Sequence, residues 1–221
     1  MNSTCTPIHW PRILLASCVA ILLACSSSSS NNNGSGGSGG AGGSGVGGGM
    51  GGGAGGGGAL DLNGFGQKYK LADNEVAGWT QDASEYAFSL YDSSNLSDRI
   101  DGPATGYVNH GMKFALYQNL NGPDGVRICT LVAMAFDTAA DAKSMVEYEQ
   151  QLTSANLTIP PYDSSVAVAY SALTGITIYA HFNSLYLEVG LDGYGNPVDM
   201  TLASQDGAAF LQALAAKPKL Q

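Results

Sequence analysis

The clearest order in this chain is the alternation of apolar and polar side chains between residues 176 and 191. Ile176–Phe182 and Leu185–Leu191 are separated by Asn183-Ser184. Two such runs across a two-residue connection predict a hairpin. Setting Phe182 opposite Leu185 puts Ala180 against Leu187 and Ile178 against Val189 on one face. The other face then pairs His181 with Tyr186 and Tyr179 with Glu188. A second hairpin is predicted upstream. Met112–Asn119 places Met112, Phe114 and Leu116 on one face and Lys113, Ala115 and Tyr117 on the other. The turn signal Asn121-Gly122-Pro123-Asp124-Gly125 reverses the chain, and Val126–Phe136 returns apolar on both faces, as a central strand does.

Helical spacing is strongest over Thr138–Leu152. Thr138 and Asp141 resemble a capping box, and Ala142, Met145, Val146 and Leu152 form the expected inward stripe. Glu149 shares that spacing but is set aside for its charge. A last helix is expected from a Ser204 cap through Ala216, with Phe210, Leu211 and Leu214 inward and Pro218 beyond its end. Shorter helical segments are expected at Asn95–Ile100 and Ala104–His110, the latter closed by Gly111. Phe65–Leu71 reads as a lead-in or edge strand, Glu85–Leu90 and Val166–Tyr170 as strands, and Trp79 as a core or rim anchor. Hairpins with helices between them predict an α+β fold. The expectation is an antiparallel sheet of about five to six strands with two main helices packed on one face.

The first quarter of the chain follows another logic. Ile13–Ala24 is an apolar stretch of twelve residues behind the single positive charge of Arg12. It is shorter than the roughly 20 residues a membrane span needs, and it suits the apolar region of a signal peptide. The tetrapeptide Leu22-Leu23-Ala24-Cys25 that closes it resembles the lipobox of bacterial lipoproteins. That resemblance implies lipid attachment at Cys25 and a mature protein that begins there. Ser26 in the following position implies the outer membrane if the enteric sorting rule holds. Residues 25–58 are rich in Ser, Asn and then Gly, and composition of this kind cannot offset the backbone entropy of glycine with buried apolar area. As a flexible coil of about 33 residues the tract would span on the order of 30 Å. Three parts are therefore expected: a signal at 1–24, a linker at 25–58, and one globular domain at 59–221.

Charge narrows the partners. The formal charge is −9, and loss of Arg12 with the signal makes it −10. The remaining Lys and Arg do not cluster, which argues against nucleic acid as a partner. Cys5 and Cys18 belong to the signal and Cys25 to the lipid, so Cys129 stands alone in the domain, inside an apolar run. It reads as a buried thiol outside any disulfide framework.

Candidate chemistry is sparse. Tyr179, His181, Tyr186 and Glu188 form the one convergent polar set, a candidate ligand face. A His–Glu diagonal beside two phenols can transfer protons or hold a ligand. The same four residues also suit a solvated outer sheet face or a satisfied hydrogen-bond cluster. No catalytic residue is assigned, because no serine stands in a Gly-x-Ser-x-Gly setting and no nucleophile accompanies His181. His110 and His181 lack any zinc-binding spacing, and Asp192, Asn196 and Asp199 do not match a calcium loop. Neither a metal nor a cofactor is expected.

One further resemblance lies in the domain. Gly78-Trp79, Ile100-Asp101-Gly102, Ala104, Tyr107 and Gly111 resemble an uncharacterised family of exported bacterial proteins with an Ile-Asp-Gly-x-Ala signature. Pro103 replaces the second glycine of that signature and Thr105 its acid, so any role resting on that carboxylate is absent here. The resemblance implies export and no particular activity. The whole reading is a cell-envelope protein anchored in the membrane through the lipid on Cys25. It acts as a non-enzymatic module that binds an envelope protein, a glycan or a small ligand. The alternative is an envelope hydrolase or transferase using His181 and Glu188.

Overall fold

A computed structural model describes residues 60–100 and 104–218. The signal, the linker and Cys25 lie outside the described residues, as do Asp101, Gly102 and Pro103 of the family-like signature.

Among the described residues, seven strands form one antiparallel sheet: β1 (Thr80–Gln81), β2 (Phe88–Asp92), β3 (Met112–Asn121), β4 (Ile128–Phe136), β5 (Ala167–Ser171), β6 (Ile176–Phe182) and β7 (Leu185–Asp192). Their order is β1-β3-β4-β7-β6-β5, with β2 also paired to β3. Four α-helices accompany them among the described residues: α1 (Leu62–Tyr69), α2 (Ala104–Asn109), α3 (Ala139–Thr153) and α4 (Met200–Ala215), with a 3-10 turn at Leu96–Asp98. The α+β class and the antiparallel sheet are as expected. The β6–β7 register is also the expected one, pairing Phe182 with Leu185, His181 with Tyr186 and Tyr179 with Glu188.

The helices do not share a face. Leu131 and Ala133 of β4, Ile178 of β6 and Val189 of β7 pack with Phe65 and Tyr69 of α1 and with Phe210, Leu211 and Leu214 of α4. Val132 and Met134 of β4, Tyr179 of β6 and Tyr186 of β7 pack with Tyr107 of α2 and with Ala142, Met145 and Val146 of α3. The physical reason lies in the central strands. β4 is buried along nearly its whole length, so each of its faces needs its own cover. The sheet therefore separates two cores, distinguished by the side chains the central strands contribute: an aliphatic one under α1 and α4, where the helices add Phe65, Tyr69 and Phe210, and an aromatic one under α2 and α3, where the strands contribute Tyr117, Tyr179 and Tyr186.

Local differences from the sequence reading have equally local causes. Residues 62–69 are helical, capped by the Asp61 carboxylate, which accepts from the Gly64 N–H at 2.6 Å. Phe65 and Tyr69 lie one turn apart on its buried side. α4 starts a turn earlier than expected, because Asp199 rather than Ser204 caps it, accepting from the Leu202 N–H at 3.0 Å. Met112 does not share a face with Phe114 and Leu116. The β3–β4 register shifts between Met112 and Phe114, and this bulge turns Met112 into the aromatic core while Phe114 packs against the aliphatic one. On α3 the Thr138 hydroxyl caps as expected, accepting from the Asp141 N–H at 3.1 Å. Its inward stripe, however, ends on Glu149, 4% exposed, while Leu152 is 37% exposed.

Candidate functional site

The aromatic core contains a cluster of acids and phenols. Strand alternation aims Tyr117 of β3, Tyr179 of β6, and Tyr186 and Glu188 of β7 at the same layer. α3 lowers Glu149 onto that layer, and α2 adds Tyr107. Three of these residues, Tyr179, Tyr186 and Glu188, belong to the face expected from the hairpin. α3 packs over β6 and β7, so that face is not a solvated outer surface.

Hydrogen bonding within the cluster is incomplete. The Tyr107 hydroxyl donates to Glu149 Oε1 at 3.1 Å. Tyr186 is fully buried, and its hydroxyl has no partner. Glu188 is only partly buried, and no hydrogen bond reaches its carboxylate from the described residues. Tyr170 stacks on Tyr179 at 6.1 Å, and the Arg99 guanidinium lies 5.0 Å from the Tyr117 ring centre.

Electrostatics follow from that arrangement. Burial first, then the negative charge of Glu149, pushes the Glu188 carboxyl up to about 7. Burial also raises Glu149, with the Tyr107 hydrogen bond acting the other way. Burial holds Tyr107, Tyr117, Tyr179 and Tyr186 in their phenol form, and the nearby acids reinforce it. The layer thus carries two carboxylates of hindered ionisation among four neutral phenols.

His181 stands at the margin. It faces Tyr186 across the hairpin, but its Nε2 lies 3.0 Å from the Ser165 carbonyl. Donating there leaves Nδ1 as a buried acceptor with no partner. No hydrogen bond links His181 to Glu188 among the described residues. The candidate pair is therefore brought to one face but not into acid–base contact.

Glu149, Tyr107 and Tyr117 were not read as site residues from sequence. Each had a signal. Glu149 sits at the stripe position seven residues after Ala142, Tyr117 on the polar face of its strand, and Tyr107 within the family-like signature.

Other features resolve into structure. Cys129 is a free, fully buried thiol, and burial pushes its pKa well up. The Asp192 carboxylate is engaged by the Thr174 hydroxyl and the Gly193 N–H, and Asp199 caps α4. Among the described residues no three His, Cys, Asp or Glu side chains gather as a metal site. An open groove of about 880 Å³ lies on the aliphatic side, between Pro160-Pro161-Tyr162 and α4, and no titratable acid, base or thiol stands in it apart from the Tyr162 phenol. No helix of the described residues is long and apolar enough to cross a membrane.

No family model matches the chain, and no curated protein matches it. Among solved structures it is similar to the extracellular domain of PknH from Mycobacterium tuberculosis. The identity is 13%, the TM-score 0.38, and the match covers 65% of this chain and 91% of that one. A likeness of that degree carries no conclusion about function.

Proposed function

We propose that this chain is an exported, lipid-anchored binding module of the bacterial cell envelope, and that its ligand contacts the acid–phenol cluster. The observation that carries the binding reading is the unpartnered Tyr186 hydroxyl, fully buried beside two acids. Buried polar groups are almost always satisfied, so one left open inside a layer of acids and phenols marks a place where a partner belongs. Binding is favoured over hydrolysis because His181 is directed to the Ser165 carbonyl rather than to Glu188.

The anchor rests on Leu22-Leu23-Ala24-Cys25, and the linker of 25–58 gives the module reach from the membrane. The outer membrane is the proposed destination, from Ser26 following Cys25. The test is Cys25→Ala followed by membrane fractionation. The variant is expected in the soluble fraction; unchanged membrane retention overturns the anchoring. For the site, extracts of envelope components are passed over the chain and over its Glu188→Gln and Tyr186→Phe variants. Equal capture by all three overturns the assignment of the cluster.

A further inference from the structure

We propose that the cluster takes a protonated amine, whose ammonium group sits between Glu149, Glu188 and the Tyr186 hydroxyl. This rests on the binding reading above and names the ligand class.

The argument is a balance of donors and charge. Facing the layer are Tyr107 from α2, Glu149 from α3, Tyr117 from β3, Tyr179 from β6, and Tyr186 and Glu188 from β7. The two carboxylates offer four oxygens. One receives the Tyr107 hydroxyl, and Glu188 receives no hydrogen bond from the described residues. Acceptors therefore outnumber the donors aimed at them. Once Glu188 has ionised, charge is equally unbalanced. The Arg99 guanidinium lies against the Tyr117 ring, 5.0 Å from its centre. His181 is turned to Ser165.

An ammonium group corrects both deficits at once. It supplies three N–H donors and one positive charge, and tyrosine faces attract it further when desolvated. A neutral sugar hydroxyl supplies donors but leaves the carboxylates unpaired in a low-dielectric layer. An anion adds to the repulsion. Access is provided on the Glu188 side, which keeps solvent contact while Tyr186 is sealed.

The test uses the full-length chain at pH 8. Methylammonium, potassium and N-acetylglucosamine are titrated in parallel, with tyrosine difference absorbance and the carboxyl carbon resonance of Glu188 as readouts. Saturable binding of methylammonium is expected, together with a fall in the apparent pKa of Glu188. Affinity should drop about tenfold or more in Glu188→Gln and several-fold in Tyr186→Phe. Circular dichroism confirms that both variants are folded. A response to potassium equal to that of methylammonium overturns the amine assignment. A response to the sugar alone overturns it too, but keeps the binding module. If no probe perturbs the cluster, both readings fall.

Discussion

Tyr107 of α2 donates its hydroxyl to Glu149 of α3 across 3.1 Å, joining the two helices that cover the aromatic core. Tyr186 lies in the same core, its ring 6.3 Å from that of Tyr107, yet its hydroxyl has no partner. Removing the two hydroxyls should therefore have opposite effects. Tyr107→Phe leaves a buried carboxylate without its donor and should cost about 1–3 kcal/mol. Tyr186→Phe deletes an unsatisfied group from the unliganded protein and should stabilise it by about 1 kcal/mol. Urea midpoints measure both, and equal losses would contradict the unpartnered state of Tyr186.

Stability should also depend on pH in a definite sense. The Glu188 carboxyl keeps its proton up to about 7 in the folded chain, against an ordinary value of 4.5. Between those values the folded chain binds more protons than the unfolded one, so stability falls as pH rises and levels off above about 7. Glu149, raised by burial, acts in the same direction. Asp124 acts in the opposite one. Hydrogen bonds from the Arg127 and Val126 N–H groups hold it down to about 2, so its contribution is lost as pH drops from 3.8 toward that value. The optimum is expected near pH 4–5. The Glu188 effect is at most about 3 kcal/mol at 1.36 per unit, reduced to on the order of 2 by its solvent contact. Urea unfolding at pH 5 and pH 8 measures it, and Glu188→Gln should flatten the profile.

Glu149→Gln separates the two causes of the Glu188 shift. The amide keeps an acceptor for Tyr107 but removes the negative charge. Glu188 should then titrate below 7 yet stay above 4.5, because burial is the larger cause. A carbon NMR titration reads it directly. No change would show that the two carboxylates do not sense each other.

Arg127 ties the β3–β4 turn to α4. Its guanidinium meets Asp124 at 2.7 Å and Asp206 at 2.6 Å, and the Tyr194 hydroxyl donates to the same Asp206 oxygen at 2.7 Å. The Arg127 side chain is 11% exposed and that of Asp206 17%. Arg127→Ala leaves Asp206 without its cation in a mostly buried place and should destabilise by roughly 3 kcal/mol. Adding Asp206→Ala should recover part of that loss in a double-mutant cycle. Strict additivity would show that the ion pair contributes nothing.

Gly175 is required by a close approach of two backbones. A Cβ built there would lie 1.7 Å from the Leu191 carbonyl oxygen, which no side-chain adjustment relieves. Gly175→Ala should cost roughly 3 kcal/mol and loosen the pairing of Ile176 with Leu191. Amide exchange at the start of β6 checks it.

Much of this was legible in the chain itself, for reasons that differ by element. The β6–β7 register followed from strict alternation across two loop residues, where a slip would reverse both faces. The two-sided burial of β4 was also visible, and it demanded covers on both sides. Placing both long helices on one face missed that demand. Glu149 was discounted for its charge, although its helical position was inward; a tyrosine from α2, distant in sequence, is what accommodates it. The Met112 bulge had no sequence cue, because alternation reads smoothly through it.

The sheet works as a partition, with aliphatic strand residues on one side and tyrosines and acids among those on the other. Along β7, Leu187 and Val189 belong to the aliphatic compartment and Tyr186 to the phenolic one, with Glu188 aimed the same way. A one-residue slip of this strand would drive the Glu188 carboxylate into hydrocarbon and set Val189 against Glu149. The two acids thus also favour one strand alignment over its one-residue slip, and a variant that neutralises both would lose that preference.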